Sequence, residues 1–264
     1  DTKNMIENLI PLFRLFLITF VCTLLITGIF FIIRARKIKE KDFTIVGIGY
    51  VMFTLTTASS LILNVAEATV IIFSLIGTIL IMIFTHLMFH KERKSSFPKL
   101  IMVASVIMGI FAWVMYQLNL TPLNSHELYL AQSILDFIFR SMVFDWLAWS
   151  AYSAHKKLKD QDIEPWLKTR YKMIYISSPL LTFIWVLRIF QPWPVQFGDS
   201  INPQSLIIFG ISSILALIYT ITFALAWIMP NKFKNYLNRG YTPVKEEKMV
   251  EEEIMSEFMT LKEG

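Results

Sequence analysis

Tyr129–Ala154, YLAQSILDFIFRSMVFDWLAWSAYSA, is long and apolar enough to cross a bilayer, yet it holds Asp136, Arg140 and Asp145 within its length. The other long apolar runs of the chain are cleaner. Ionisable side chains at membrane depth are costly, so they face a bundle interior or a wet cavity, pair with one another and mark a pathway or a ligand site. This stretch is therefore the expected functional axis.

The surrounding composition supports a bilayer as solvent. Of 264 residues, 55% are hydrophobic, against roughly 45–50% in soluble domains, and the mean hydropathy is +0.55. The apolar runs predict an all-α integral membrane protein, a seven-transmembrane helix bundle over residues 1–240. Its spans are expected near 10–33, 43–64, 68–89, 98–118, 128–154, 172–190 and 205–229. These fill the length and leave no room for a soluble domain. Residues 241–264 form an acidic tail in which Val250, Ile254, Phe258 and Leu261 recur at helical spacing, so 246–261 reads as an amphipathic helix, either a solvated terminal helix or one that docks on a cytoplasmic protein partner or on the basic loops of its own bundle. The single Cys22 excludes an internal disulfide and a cysteine-based zinc site.

The basic residues set the expected orientation. Connections after spans one, three and five hold five, four and six Lys or Arg and the stretch after span seven holds six, whereas the connections after spans two, four and six hold none. Such a bias places the first set in the cytoplasm, with the N-terminus outside and the C-terminus inside a cell membrane. The net charge of +5 is thereby a topology signal, and nucleic acid is excluded as a partner. Leu15–Ile33 has its basic cluster behind it, from Arg34 on, which reads as a true span and not a cleaved signal. The chain opens on Asp1 rather than Met, which suits either a processed or an incompletely described N-terminus.

Packing cues are local. Ser74 with Thr78 and Ser105 with Gly109 have small-xxx-small spacing suited to close helix approach. Pro179 is expected to kink span six. Pro165-Trp166, Lys168, Arg170 and Tyr171 read as an interfacial connection before that span.

Gln132, Asp136 and Arg140 are one turn apart and project from a similar face of span five. Arg14 in span one and Arg188 in span six lie at similar outer depth, with Gln191 close by. The expectation is an outward cavity between spans one, five and six that binds an anionic or zwitterionic small molecule, since guanidinium is a bidentate donor to carboxylate or phosphate. The competing reading is a dry pair in which Asp136 and Arg140 neutralise each other. Asp145 lies on another face and, with His86, forms a candidate proton relay if spans three and five are neighbours. A Ser, Tyr or Trp donor to Asp145 is the plainer alternative. No nucleophile elbow, phosphate loop or metal-ligand spacing is present, so neither an enzyme nor a metal or other cofactor is expected.

Ser205–Pro230 contains no lysine, which excludes retinal bound as in microbial rhodopsins, and His86-Leu-Met-Phe-His90-Lys-Glu-Arg93 lacks the receptor signature that ends span three in G-protein-coupled receptors. Span number, orientation, compact loops, the second span around Tyr50–Leu63 and the aromatic end of span three resemble the seven-span sensor module of prokaryotic histidine kinases. That resemblance implies a ligand-sensing bundle. A kinase is expected to follow the last span, whereas the sequence here stops at Gly264. The expected function is a stand-alone receptor or sensor signalling to a cytoplasmic partner, alone or as a homo-oligomer. A small transporter, an ion or proton conductor, or a structural subunit of a membrane complex are the alternatives.

Overall fold

Backbone polar groups in lipid are satisfied only within helices or closed barrels, and this chain takes the helical solution. The computed structural model describes residues 2–59, 67–91, 95–122, 125–195 and 202–241. Among the described residues there are eight α-helices and no strand: α1 (Thr2–Ile38), α2 (Lys41–Ala58), α3 (Glu67–His90), α4 (Phe97–Asn119), α5 (His126–Leu158), α6 (Pro165–Ile189), α7 (Pro203–Ile228) and α8 (Asn231–Leu237). Five segments, Leu15–Lys37, Val70–His90, Phe97–Asn119, Pro165–Ile189 and Pro203–Ile228, are long and apolar enough to cross a membrane. The chain is thus an all-α membrane protein. The other two long helices differ in composition: α2 has 18 residues and begins on Lys41-Asp42, and α5 carries the three internal charges.

Each of α1 to α6 packs on the next, α1 closes the ring on α7, and α3 also reaches across to α5. Neighbours run in alternate directions. Asn119 at the end of α4 bonds Gln132 near the start of α5, and Arg170 near the start of α6 bonds a carbonyl at the end of α7. One end of the ring therefore collects Arg34, Arg170 and the lysine-rich connections, and is called the basic end below.

Small residues bring the first helices unusually close. A Cβ on Gly28 would lie 2.9 Å from the carbonyl oxygen of Gly47, and one on Gly47 would lie 2.8 Å from that of Gly28. Glycine is required there because backbone cannot step aside, and such contact is what drives helix association in lipid. Toward the basic end the ring is filled by aromatic side chains. Trp227 meets Phe43 at 5.3 Å and Phe84 at 5.4 Å, and Tyr50 meets Phe223 at 5.6 Å. Edge and offset pairs of this kind contribute about 0.5–1.5 kcal/mol each beyond area burial.

Helix starts follow local chemistry. Ser125 caps α5 by accepting from the Leu128 amide at 3.2 Å, and Asn202 caps α7 by accepting from the Ser205 amide at 3.0 Å. Glu127, in the first turn of α5, has its carboxyl held below the usual range by its own backbone N–H and the Ser125 hydroxyl. Pro98, Pro165 and Pro203 stand in first turns, where no amide is missed.

Most expected spans coincide with helices, with two corrections at the basic end. The helix expected from 172 begins at Pro165, so Trp166, Lys168 and Arg170 are helical rather than a connection. α6 also continues through Pro179. Secondly, Asn231–Leu237 is a short eighth helix. It forms because Met229 takes a left-handed backbone, φ 37°, which turns the chain after α7. Phe233 and Leu237 then pack with Leu158, Trp166, Leu167, Tyr171 and Met229, while Lys234 Nζ sits 3.8 Å from the Trp166 ring centroid. The acidic stretch 246–261 lies outside the described residues, as do most of the turn expected at 64–68 and the loop holding Asp199.

Candidate functional site: a buried arginine between three helices

Arg140 projects from α5 into the ring and is only 3% exposed. An enclosed guanidinium must find acceptors for five donors, and α3 supplies those of its two terminal nitrogens. Nη2 donates to Ser74 Oγ at 2.7 Å, and Nη1 donates to Ser74 O at 3.3 Å and to Thr78 Oγ1. Thr78 Oγ1 in turn donates to Ser74 O at 2.9 Å, so the hydroxyl both gives and receives. One turn back along α5, Asp136 Oδ1 lies 3.5 Å from Arg140 Nε, at ion-pair range. The guanidinium also sits over aromatic rings, 4.6 Å from the centroid of Trp185 on α6 and 5.1 Å from Phe139. Cation–π contact of this kind strengthens when water is excluded.

A recess opens beside this cluster. Its walls are Ile71 and Leu75 from α3, Gly109, Ala112, Trp113 and Tyr116 from α4, and Gln132, Asp136, Phe139 and Arg140 from α5. The recess spans about 270 Å³ including the space open to its surroundings, and its enclosed part has room for about one water molecule. Gly109 lets α4 close on it, since a Cβ there would meet Leu75 Cδ1 at 2.8 Å and Phe139 Cε2 at 3.0 Å. Two walls carry buried donors that lack a hydrogen-bond partner, Trp113 Nε1 and Arg140 Nε. Gln132 is engaged, accepting from Asn119 Nδ2 at 2.5 Å.

Of the residues expected at a site, Gln132, Asp136 and Arg140 come together, but with α3 and α4 and not with spans one and six. Arg188 meets the same indole as Arg140, its Cζ 4.9 Å from the Trp185 centroid, without forming a wall of the recess. Gln191 turns to α7, donating to Ser205 Oγ at 2.8 Å and to Val195 O at 3.2 Å. Arg14 lies on α1, which packs on α2 and α7 and not on α5, and its side chain is outside the described residues. The pooled cations of three spans are therefore not assembled around one cavity. Nor do Asp145 and His86 pair, although α3 and α5 are neighbours. Asp145 is exposed and accepts from Thr182 Oγ1 on α6 at 2.8 Å, the plainer of the two arrangements.

The partners that sequence reasoning missed are Ser74, Thr78, Trp113, Tyr116 and Trp185. The signal for the first two was present: a hydroxyl pair at i, i+4 suits close packing, but it is equally a ladder of acceptors spaced for a guanidinium fork.

At the basic end two further arginines serve the fold. Arg170 Nε donates to Ala226 O at 3.1 Å and Arg34 Nη1 donates to Trp227 O, so both meet the last carbonyls of α7, where the helix dipole favours positive charge. No cluster of three or more His, Cys, Asp or Glu suited to a metal occurs among the described residues. No known protein family, curated protein or solved structure matches the chain.

Proposed function

We propose that the chain is a seven-span membrane protein, N-terminus outside and basic end in the cytoplasm, that senses a small molecule at the recess beside Arg140 and signals to a cytoplasmic partner. The observation that carries this reading is the buried Trp113 Nε1 donor, which lacks a hydrogen-bond partner, on the same recess as Arg140 Nε, which makes no hydrogen bond and meets Asp136 Oδ1 only at ion-pair range, 3.5 Å. Buried polar groups are normally satisfied, so these two donors, one on the α4 wall and one on the α5 wall, call for a guest. The recess admits a small acceptor group, such as one carboxylate or hydroxyl, beside these donors. Asp136 would then exclude phosphates and other multiply charged anions by repulsion, while its pairing with Arg140 keeps the empty site neutral.

Orientation follows from the lysine and arginine bias of the connections. Because Ser74 and Thr78 hold Arg140 from α3, a guest that draws the guanidinium toward α4 loosens the α3–α5 contact, and this is the movement available to pass along the bundle. The basic connections and the acidic tail are the surfaces that would meet the partner.

Thermal unfolding of the purified protein with acetate, butyrate or glutamate tests the reading. A carboxylate should raise the midpoint for the wild type and should do so less for Trp113→Phe, which loses only the N–H donor. Equal response of the two proteins, or none in either, refutes the site. Flux in proteoliposomes separates sensor from transporter, since a sensor carries none.

A further inference from the structure

Asp145 is an acid on the outside of the ring. It lies five residues after Arg140, about 140° further round the helix, and it is exposed where Arg140 is enclosed. Its one hydrogen bond comes from Thr182 on α6. Thr182 stands about 18 Å along α6, by helical rise, from Arg170 in the layer at the basic end. In a bilayer core of about 30 Å that is close to the middle. A carboxylate facing acyl chains at such depth is costly and calls for a covering group.

The surroundings specify that group. Trp149, one turn on and 65% exposed, shares the face with Asp145, and Tyr152 lies 6.1 Å from it between ring centroids. On α6, Ile176 and Phe183 are also exposed. A carboxylate beside indole and phenol faces suits a cation, by ion pairing and by cation–π contact. Among the described residues, a second copy of this chain offers none at that level. Arg140 is enclosed and engaged, Arg34 and Arg170 are at the basic end, and Arg14 and Arg188 lie toward the opposite end.

We propose that this α5–α6 face docks a transmembrane helix of a partner protein carrying a lysine or arginine at mid-depth, with Asp145 as its counter-charge. The proposal rests on the seven-span reading only in that α5 crosses the bilayer. It does not depend on the recess.

The test uses the full chain in phosphatidylcholine vesicles with a donor dye on Cys22, which is exposed and the only cysteine. The probe is a synthetic polyleucine transmembrane peptide with one central lysine and an acceptor dye, compared with the same peptide having leucine there. Energy transfer should favour the lysine peptide, fall roughly five- to tenfold in apparent affinity for Asp145→Asn, and be retained by Asp145→Glu. No preference for lysine, or an unchanged affinity in Asp145→Asn, overturns the proposal. Self-association of the chain that is lost in Asp145→Asn also overturns it, in favour of a second copy. A separate arm places bimane on Asp145→Cys in a Cys22→Ser background. Hydrocarbon-like emission is expected, whereas water-like emission removes α5 from the bilayer and takes down the seven-span reading and the proposal together.

Discussion

Removing the α3 acceptors of Arg140 gives a measurable energy with a built-in control. In the double variant Ser74→Ala, Thr78→Val the guanidinium loses the Ser74 Oγ and Thr78 Oγ1 bonds and keeps Asp136, the two rings and the 3.3 Å approach to Ser74 O. Hydrogen bonds to a charged group contribute about 1.5–3 kcal/mol each, while interhelical hydrogen bonds measured in membrane proteins average about 0.6 kcal/mol. At 3% exposure Arg140 has little access to replacement water, so the loss should fall between those limits, at about 2–4 kcal/mol for the pair. In an Arg140→Met background the same two substitutions should cost less than about 1 kcal/mol, because only hydroxyl bonds along α3 itself remain to be lost. Asp136 loses its partner in both arms of that background, so its cost cancels in the cycle. Reversible unfolding in mixed detergent and SDS micelles reads all four stabilities. An equal cost in both backgrounds would mean that Ser74 and Thr78 act through helix packing alone, and the argument that α3 holds the arginine would be lost.

The crossing of α1 and α2 offers a second check: Gly47→Ala sets a methyl 2.8 Å from a backbone oxygen and should destabilise the bundle by about 1–3 kcal/mol, whereas Gly240→Ala, with nothing within 4 Å but a φ of +85°, should cost about 1 kcal/mol through backbone strain alone. At the basic end, Arg170→Met removes a donor from Ala226 O and a cation from between Trp166 and Trp227. Amide exchange over residues 229–238 should quicken while that of α4 stays unchanged, and a uniform increase would show that Arg170 supports the whole bundle instead.

Helix positions were legible in the sequence because an apolar run flanked by lysine, arginine or proline has one outcome in lipid. The face of α5 was legible too: Gln132, Asp136 and Arg140 share a wall of the recess as their spacing requires. Which helices meet that face was not. Hydrophobic residues cover α3 and α4 on nearly every side, so no polar stripe points to a neighbour, and Arg140 was matched with distant arginines rather than with Ser74 and Thr78. The start of α6 was misplaced for a related reason. Trp166, Lys168 and Arg170 look like a wet boundary by composition, but the end of α7 and α8 cover Trp166 and Arg170, burying Arg170 to 1% exposure, and Lys168 donates to the carbonyls of Lys159 and Gln161. α8 itself depends on the turn at Met229, a conformation its side chain does not announce.

The two guanidiniums at the end of α7 have a mechanical consequence. Arg34 comes from α1 and Arg170 from α6, and they grip adjacent carbonyls. Sliding α7 along its axis therefore breaks both holds at once, and rotating it draws Trp227 away from the Arg170 guanidinium. α7 is thereby pinned at the basic end between α1 and α6.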